Sequence, residues 1–417
     1  MIVNYSSVIL KPNINRVILR PFEPFNKERI KKIINRIYDL SELEVEQEFE
    51  RVKKLYSYRH KDIEKFFIRR YNEVKKYGPQ NTNISEIKKL LIGSYFSNEY
   101  SLESAALFNP SMVWHPDQSG LPSNKKRFII SLRATGEGHV SSIVFRSGVI
   151  DSDNNIELDP PSDFAEMPEI NLISDDIYEA RFEPIDISER TLFPQLDLEM
   201  NGMEDARFVL FTEDNGEKIY YATYCAYDGH NISMQLLKTQ DFLNFTIASL
   251  KGSEVKNKGM ALFPRKINGK YVMLSRQDNE NNFIMFSDNL YEWNSKQLLM
   301  EPKYSWEFFQ IGNCGSPIET DKGWLCLSHG VGPARRYSMG AFLLDKDDPA
   351  KLIGRLKTPL LEAKEHERNG YVPNVVYSCG GVINENYLVF PYAMSDYASS
   401  FAFVDLNELL DKLLNEK

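Results

Sequence analysis

Apolar residues between Asn26 and Tyr38 fall at Ile30, Ile33, Ile34 and Ile37, the i, i+3, i+4, i+7 spacing of one helix face. Ser41-Glu-Leu-Glu carries a capping-box pattern and opens a second helix that runs to about Tyr56. A third is predicted from about His60 to Tyr77, and a fourth from Asn83 to near Gly93. A short β-like stretch, Arg16–Phe22, precedes them. Lys, Arg and Glu alternate along all four, the pattern of solvated helix faces. Residues 1–100 therefore read as a helical N-terminal extension that packs on the main body or builds a homo-oligomer.

From about residue 105 the helical period gives way to short apolar runs broken by polar turns. Five segments share one form, a strand, a turn, then an aromatic-led strand with a polar end. They are Phe108–Trp114 with Arg127–Arg133, Glu204–Phe211 with Ile219–Tyr224, and Leu262–Ile267 with Tyr271–Arg276. Ser316–Thr320 with Trp324–His329, and Pro373–Tyr377 with Tyr387–Tyr392, complete the set. Turns such as Asp214-Asn-Gly216 and Asn268-Gly269 are strong hairpin signals. After a longer first interval, which holds the inserted segment Asp151–Pro194, the repeats recur roughly every 50–60 residues, close to the length of a propeller blade. The expected fold is all-β: a five-bladed β-propeller over residues 101–404, with the N-terminal helical extension and a short C-terminal helix at 405–417.

Composition narrows the class. The 417 residues are 42% hydrophobic and 26% charged, with a mean hydropathy of -0.41, as in soluble globular chains. A net charge of -9 and no basic stripe over the β region argue against nucleic acid. No apolar run approaches a membrane span, and Met1-Ile-Val-Asn-Tyr does not open a signal peptide, so a cytoplasmic protein is expected. The four cysteines are too far apart for a zinc motif. With 22 Tyr and 25 Phe, the chain has many rings on which a sugar could stack.

In a propeller, inner-strand ends converge on one mouth. The repeats would bring there Asn109 and Arg133, Asp205 and Arg207, Arg265 and Arg276, Glu319 and His329, and Asn374 and Asp396. Strand alternation puts Asp205 and Arg207 on one face and Glu204 on the other. The loop Arg133-Ala-Thr-Gly-Glu-Gly-His139 lacks the Lys and helix of a phosphate loop and reads as a tight turn offering Glu137 and His139 to a ligand. Glu365-His-Glu367 adds two carboxylates before the fifth repeat but lacks a zinc motif, so no metal or cofactor is expected. Carboxylates, arginines and aromatics together suit a small oligosaccharide.

Arg133-Ala-Thr-Gly-Glu-Gly-His139, Glu204-Asp-Ala-Arg207, Leu262-Phe-Pro264, Pro317-Ile-Glu-Thr320, His329-Gly-Val331 and Gly370-Tyr-Val-Pro-Asn-Val-Val376 together resemble glycoside hydrolase family 130, the five-bladed β-mannoside phosphorylases and β-1,2-mannosidases. The resemblance spans about residues 105–400. It implies that Asp205 is the general acid, that Asn109, Arg133 and Asp396 contact sugar, and that His329 and Tyr337 match the retained His and Tyr. Inverting cleavage needs an acid at the leaving oxygen and an attacker on the opposite face. Tyr224-Cys-Ala-Tyr-Asp228 lacks one expected phosphate-binding arginine, while Glu319 and Glu367 are available as bases. That favours an inverting hydrolase of β-mannosides, with β-1,2-linked oligosaccharides expected. Arg335 and Arg336 keep open a phosphorylase that takes inorganic phosphate and releases mannose 1-phosphate; a glycan-binding propeller without turnover is the third reading.

Overall fold

The computed structural model describes residues 2–80 and 83–416. Met1 and Lys417, which the sequence reading placed in its N-terminal extension and C-terminal helix, lie outside the described residues. The chain divides into two compact units, Asn13–Leu102 with Ser162–Glu166, and Met1–Pro12, Glu103–Pro161 and Met167–Lys417.

The smaller unit holds α1 (Lys27–Tyr38), α2 (Glu42–Tyr56), α3 (Ile63–Val74) and α4 (Glu86–Tyr95). Asn26 caps α1, and Ser41 with Glu44 closes a reciprocal capping box on α2. Ser85 caps α4, so that helix starts three residues after the predicted Asn83. Ile30, Ile34 and Ile37 are buried with Val45, Phe49, Phe67, Leu91 and Ile92 in one core. A Cβ at Gly93 would lie 1.9 Å from the Phe67 carbonyl oxygen, so only glycine lets α3 and α4 approach this closely.

The larger unit is mostly antiparallel sheet. The first sheet runs Ala106–Trp114, Lys125–Thr135, Ser141–Asp151 and Ile156–Leu158. The second runs Gly202–Thr212, Lys218–Tyr227, Ile232–Thr239 and Asn244–Ser249, and the inserted hairpin Glu169–Ser174/Ile177–Arg181 adds to its edge. A parallel bridge from Gly202 to Ser141 joins the ladders of the two. The third comprises Ala261–Leu262, Tyr271–Ser275, Asn282–Ser287 and Gln297–Met300. In the fourth, Gln310–Asn313 and Ile318–Glu319 both pair with Trp324–Val331, followed by Tyr337–Leu344 and Leu352–Arg355. The fifth joins Val376–Tyr377 to Tyr387–Met394 and Ala398–Asp405. Its last strand comes from the other end of the chain, Val3–Leu10, and α5 (Leu406–Asn415) follows Ala398–Asp405.

Neighbouring residues on one strand serve different cores, as the two-residue period requires. Phe208 packs with Val113, Ile129 and Phe145 of the first sheet, whereas Val209 and Phe211 pack with Leu262 and Met273 of the third. Val272 and Leu274 join Trp324 and Phe342, while Leu325 and Leu327 join Leu388 and Phe390. Val389 and Phe401 close on Leu107, Phe128 and Ile130 of the first sheet. Apolar clusters thus link each sheet to the next and the fifth to the first.

Three expectations are corrected. Val3–Leu10 is a strand, not part of the helical segment; its alternation is weak, and its partner lies at the far end of the sequence. The strand predicted over Leu262–Ile267 is Ala261–Leu262, because Pro264 has no N–H for a ladder. The run Pro373–Tyr377 contributes only Val376–Tyr377, for the same reason at Pro373.

Candidate active site

Asp205 sits in the strand Gly202–Thr212 at φ +54. Pairing with the neighbouring strand jumps from Glu204↔Cys225 to Arg207↔Thr223, a bulge that breaks strict alternation. Glu204 and Asp205 therefore do not part to opposite sides as predicted. Arg133 reaches both, donating from NH2 to Glu204 Oε1 at 2.8 Å and from NH1 to Asp205 Oδ1 at 3.3 Å. Asn109, at φ +48 in a second bulge, donates to Asp205 Oδ1 at 2.7 Å. Lys258, which the sequence gave no reason to single out, ion-pairs with Glu204.

Asp396 follows Ser395 in the turn after Tyr387–Met394, both at positive φ. Asn374 and His139 share that backbone region. Left-handed backbone at non-glycine residues is uncommon and collects at functional sites. Burial would raise the Asp205 pKa, but Arg133, Arg207 and Lys258 outweigh it and hold the carboxyl below its usual range, at about 2. Asp396 goes the other way: burial first, then the Asp205 charge, push it up to about 6.

Beside these carboxylates lies a cationic group. Arg207 is buried; it donates from Nε to the Cys314 carbonyl at 2.9 Å, from NH2 to Tyr377 Oη at 2.8 Å and from NH1 to the Asp205 carbonyl at 2.9 Å. Arg276 NH1 lies 3.0 Å from His329 Nε2. His329 stacks on Tyr337, with centroids 5.9 Å apart and planes within 11°, and meets the edge of Tyr377. Burial and the charges of Arg276 and Arg207 push the His329 pKa well down, so the ring is neutral. Burial likewise lowers the Arg276 pKa. Among the described residues no ion pair joins Arg207 or Arg276 to a carboxylate, and buried Arg276 Nε has no hydrogen-bond partner. The enclosed Arg276 Nε is costly until an acceptor meets it, whereas Arg207 has a partner at each nitrogen and faces the Asp205 charge.

Not every predicted residue joins this cluster. Glu319 is bound bidentately by Arg265, at 2.8 and 2.9 Å, which lowers its pKa. Glu367 accepts the Lys364 amide at 2.9 Å and the Tyr392 hydroxyl at 2.7 Å. Both proposed bases are thus occupied by structural partners. Glu137 and His139 occupy an exposed turn in which His139 lies 5.3 Å from Tyr371. Asn374 accepts the Tyr337 amide at its carbonyl. Tyr377 and Lys258 were missed, since neither position carries a motif. Among the described residues, no group of three or more His, Cys, Asp or Glu is placed to hold a metal ion.

A family model described as β-1,4-mannooligosaccharide phosphorylase, glycoside hydrolase family 130, matches residues 166–415. A 1,2-β-oligomannan phosphorylase from Thermoanaerobacter is 34% identical over 220 residues, covering 51% of this chain and 71% of that protein. A β-1,2-mannobiose phosphorylase from Listeria innocua is 31% identical, covering 53% and 63%. The solved structure of a β-1,2-mannobiose phosphorylase from Listeria innocua in complex with β-1,2-mannobiose covers 75% of this chain and 93% of its own, with a TM-score of 0.53 at 23% identity. A glycosyl hydrolase from Bacteroides ovatus gives 0.56 at 20% identity, covering 74% and 87%. These structural likenesses bear on the fold. The chain, by its family match and its relatives, belongs to glycoside hydrolase family 130, whose members are mannoside phosphorylases and glycoside hydrolases.

Proposed function

We propose that this protein is an inverting β-mannoside phosphorylase, with β-1,2-linked manno-oligosaccharides as the substrates to test first. The observation that carries this reading is Arg276, half-buried with its Nε enclosed and without a hydrogen-bond partner, set with neutral His329 and the buried Arg207. An incoming hydrogenphosphate supplies an acceptor for the open Arg276 donor, and its oxygens match guanidinium donors. Hydrolysis would need a carboxylate base, and Glu319 and Glu367 are held by Arg265 and by Tyr392 with the Lys364 amide.

In the proposed step a phosphate oxygen bonds to the anomeric carbon as the glycosidic carbon–oxygen bond breaks. The Asp205 carboxyl gives its proton to the leaving oxygen, and the proton carried in on phosphate restores it. Phosphate also cancels part of the field that keeps Asp205 ionised, so the carboxyl is driven toward its acid form when the attacker is present. In this reading Asn109, Arg133 and Asp396 hold the sugar; the contacts of the first two with Asp205, and the charge that Asp205 exerts on Asp396, support it.

We read the five sheets as blades of a five-bladed propeller over about residues 101–404, with residues 1–100 chiefly a helical extension. The sequence of apolar clusters, each shared by consecutive sheets and the last returning to the first, supports that reading. The functional test is the initial rate on β-1,2-mannobiose as phosphate is varied. A rate that saturates with phosphate and vanishes without it is expected; a rate indifferent to phosphate would return the assignment to hydrolysis.

A further inference from the structure

A cavity of about 570 Å³ opens between the Ser305–Phe309 segment and the turn that follows Val331. Its volume falls within the range of small-molecule sites. Phe308, Phe309, Val331, Pro333 and Ala334 give it an apolar lining, and Arg335 adds a charge. Phe308 and Phe309 are 65% and 71% exposed. Adjacent large rings left open to water mark a surface that something covers.

The segment that presents them is firmly built. A Cβ at Gly330 or Gly340 would lie within 2.5–2.6 Å of the Trp306 ring, so these two glycines make the bed in which that indole rests. Trp306 Nε1 donates to the Lys357 carbonyl at 3.0 Å. Glu307 is buried, accepts the Lys303 and Tyr304 amides at 2.9 Å each, and pairs with Arg355. The Phe309 amide donates to the Val331 carbonyl at 3.0 Å. Residues 303–307 and the Phe309 backbone are thus tied down, while the two rings are held out.

The opposite wall is the turn that leaves the strand of His329. The turn with Ala334 and Arg335, both at φ +56, joins the strand bearing His329 to the strand that begins at Tyr337. The Arg335 charge acts on Asp396, which in turn faces the charges of Asp205 and Arg133.

From this continuity we infer that the cavity is a remote sugar subsite, taking units of a β-linked oligosaccharide beyond the pair that flanks the scissile bond. The inference rests on the mannoside reading above. Phe308 and Phe309 offer flat apolar faces for the C–H faces of pyranose rings, and Arg335 offers donors to their hydroxyls.

Calorimetric titration in the absence of phosphate tests it without turnover, comparing β-1,2-mannobiose with β-1,2-mannotetraose. For the wild-type protein the tetrasaccharide is expected to bind about tenfold more tightly than the disaccharide. In a folded F308A/F309A variant that ratio should fall toward one, and F308Y/F309Y should restore it. An unchanged ratio in the alanine variant, or no length preference in the wild type, overturns the proposal. So does a change of sedimentation in the alanine variant with the ratio intact, which would make the rings a contact between copies of this chain. Length-dependent binding that responds to these variants, without phosphorolysis of any β-mannoside, upholds the subsite and overturns only the phosphorylase reading.

Discussion

In the proposed step Asp205 is a carboxylate in the empty site and an acid when the bond breaks. Its neighbours account for the first state: Arg133, Arg207 and Lys258 hold its proton off. Asp205→Asn is expected to lower phosphorolysis by about 10²–10⁴-fold, the usual contribution of a positioned proton donor, while sugar still binds by titration. Unchanged turnover would remove Asp205 from the reaction. Arg276→Ala should raise the phosphate KM by about tenfold or more and change the sugar KM much less, because it removes a buried donor to the anion. Glu319→Gln serves as the contrast. Its carboxylate is partly exposed and paired with Arg265, so turnover should persist and stability should shift by no more than about 1 kcal/mol. Loss of turnover in that variant would revive Glu319 as a base. Asp396 makes a pH prediction. Its pKa in the folded protein, about 6, lies above the ordinary 3.8, so its contribution to stability is full below pH 3.8 and is lost as pH rises through 6. Asp396→Asn should therefore stabilise the protein by roughly 1–2 kcal/mol at pH 7–8, after allowance for partial solvent access, and by nothing near pH 4. Denaturant melts at the two pH values check this; a gain at pH 4 would contradict it.

At the scale of elements, the site is made by departures from regular structure. The bulges at Asn109 and Asp205 turn two strands locally so that an amide and a carboxylate meet at 2.7 Å. The periodicity of the sequence could not disclose this. A two-residue period assigns Asp205 and Glu204 to opposite faces, and only the inserted residue lets Arg133 bind both. Other local signals were readable because chemistry and geometry coincide within a few residues. Asn268-Gly269, at φ +51 and +79, forms the expected tight turn, and the Ser41–Glu44 box starts α2 where predicted. Glu367 illustrates the opposite case. Two carboxylates before a strand look like catalytic equipment, yet this one fastens the Lys364 amide to the Tyr392 hydroxyl. Glu367→Ala should destabilise the protein by about 1–3 kcal/mol by leaving buried partners unpaired. Turnover per folded molecule should be retained, as kcat measured beside a thermal melt would show; lost kcat with an unchanged melt would contradict the structural role.

For the whole molecule, the β fold was legible because strands such as Lys218–Tyr227 and Trp324–Val331 are buried on both faces and neighbouring residues feed different cores, so the repeats stood out even without aligned relatives. The contribution of Val3–Leu10 to the fifth sheet was not legible, since pairing with Ala398–Asp405 depends on the course of the whole chain. Nor does the sequence tell which carboxylates have partners in the fold, and those partners are why phosphorolysis is proposed ahead of hydrolysis. Glu319 and Glu367 have partners, whereas Arg207 and Arg276 lack a carboxylate ion pair among the described residues. Phosphorus and proton NMR of the reacting mixture test that account most directly. With β-1,2-mannobiose and inorganic phosphate, the account predicts one α-mannose 1-phosphate and one free mannose for each disaccharide consumed, with a loss of phosphate signal equal to the mannose 1-phosphate formed. Two free mannose molecules per disaccharide, with no mannose 1-phosphate and a constant phosphate signal, would contradict it.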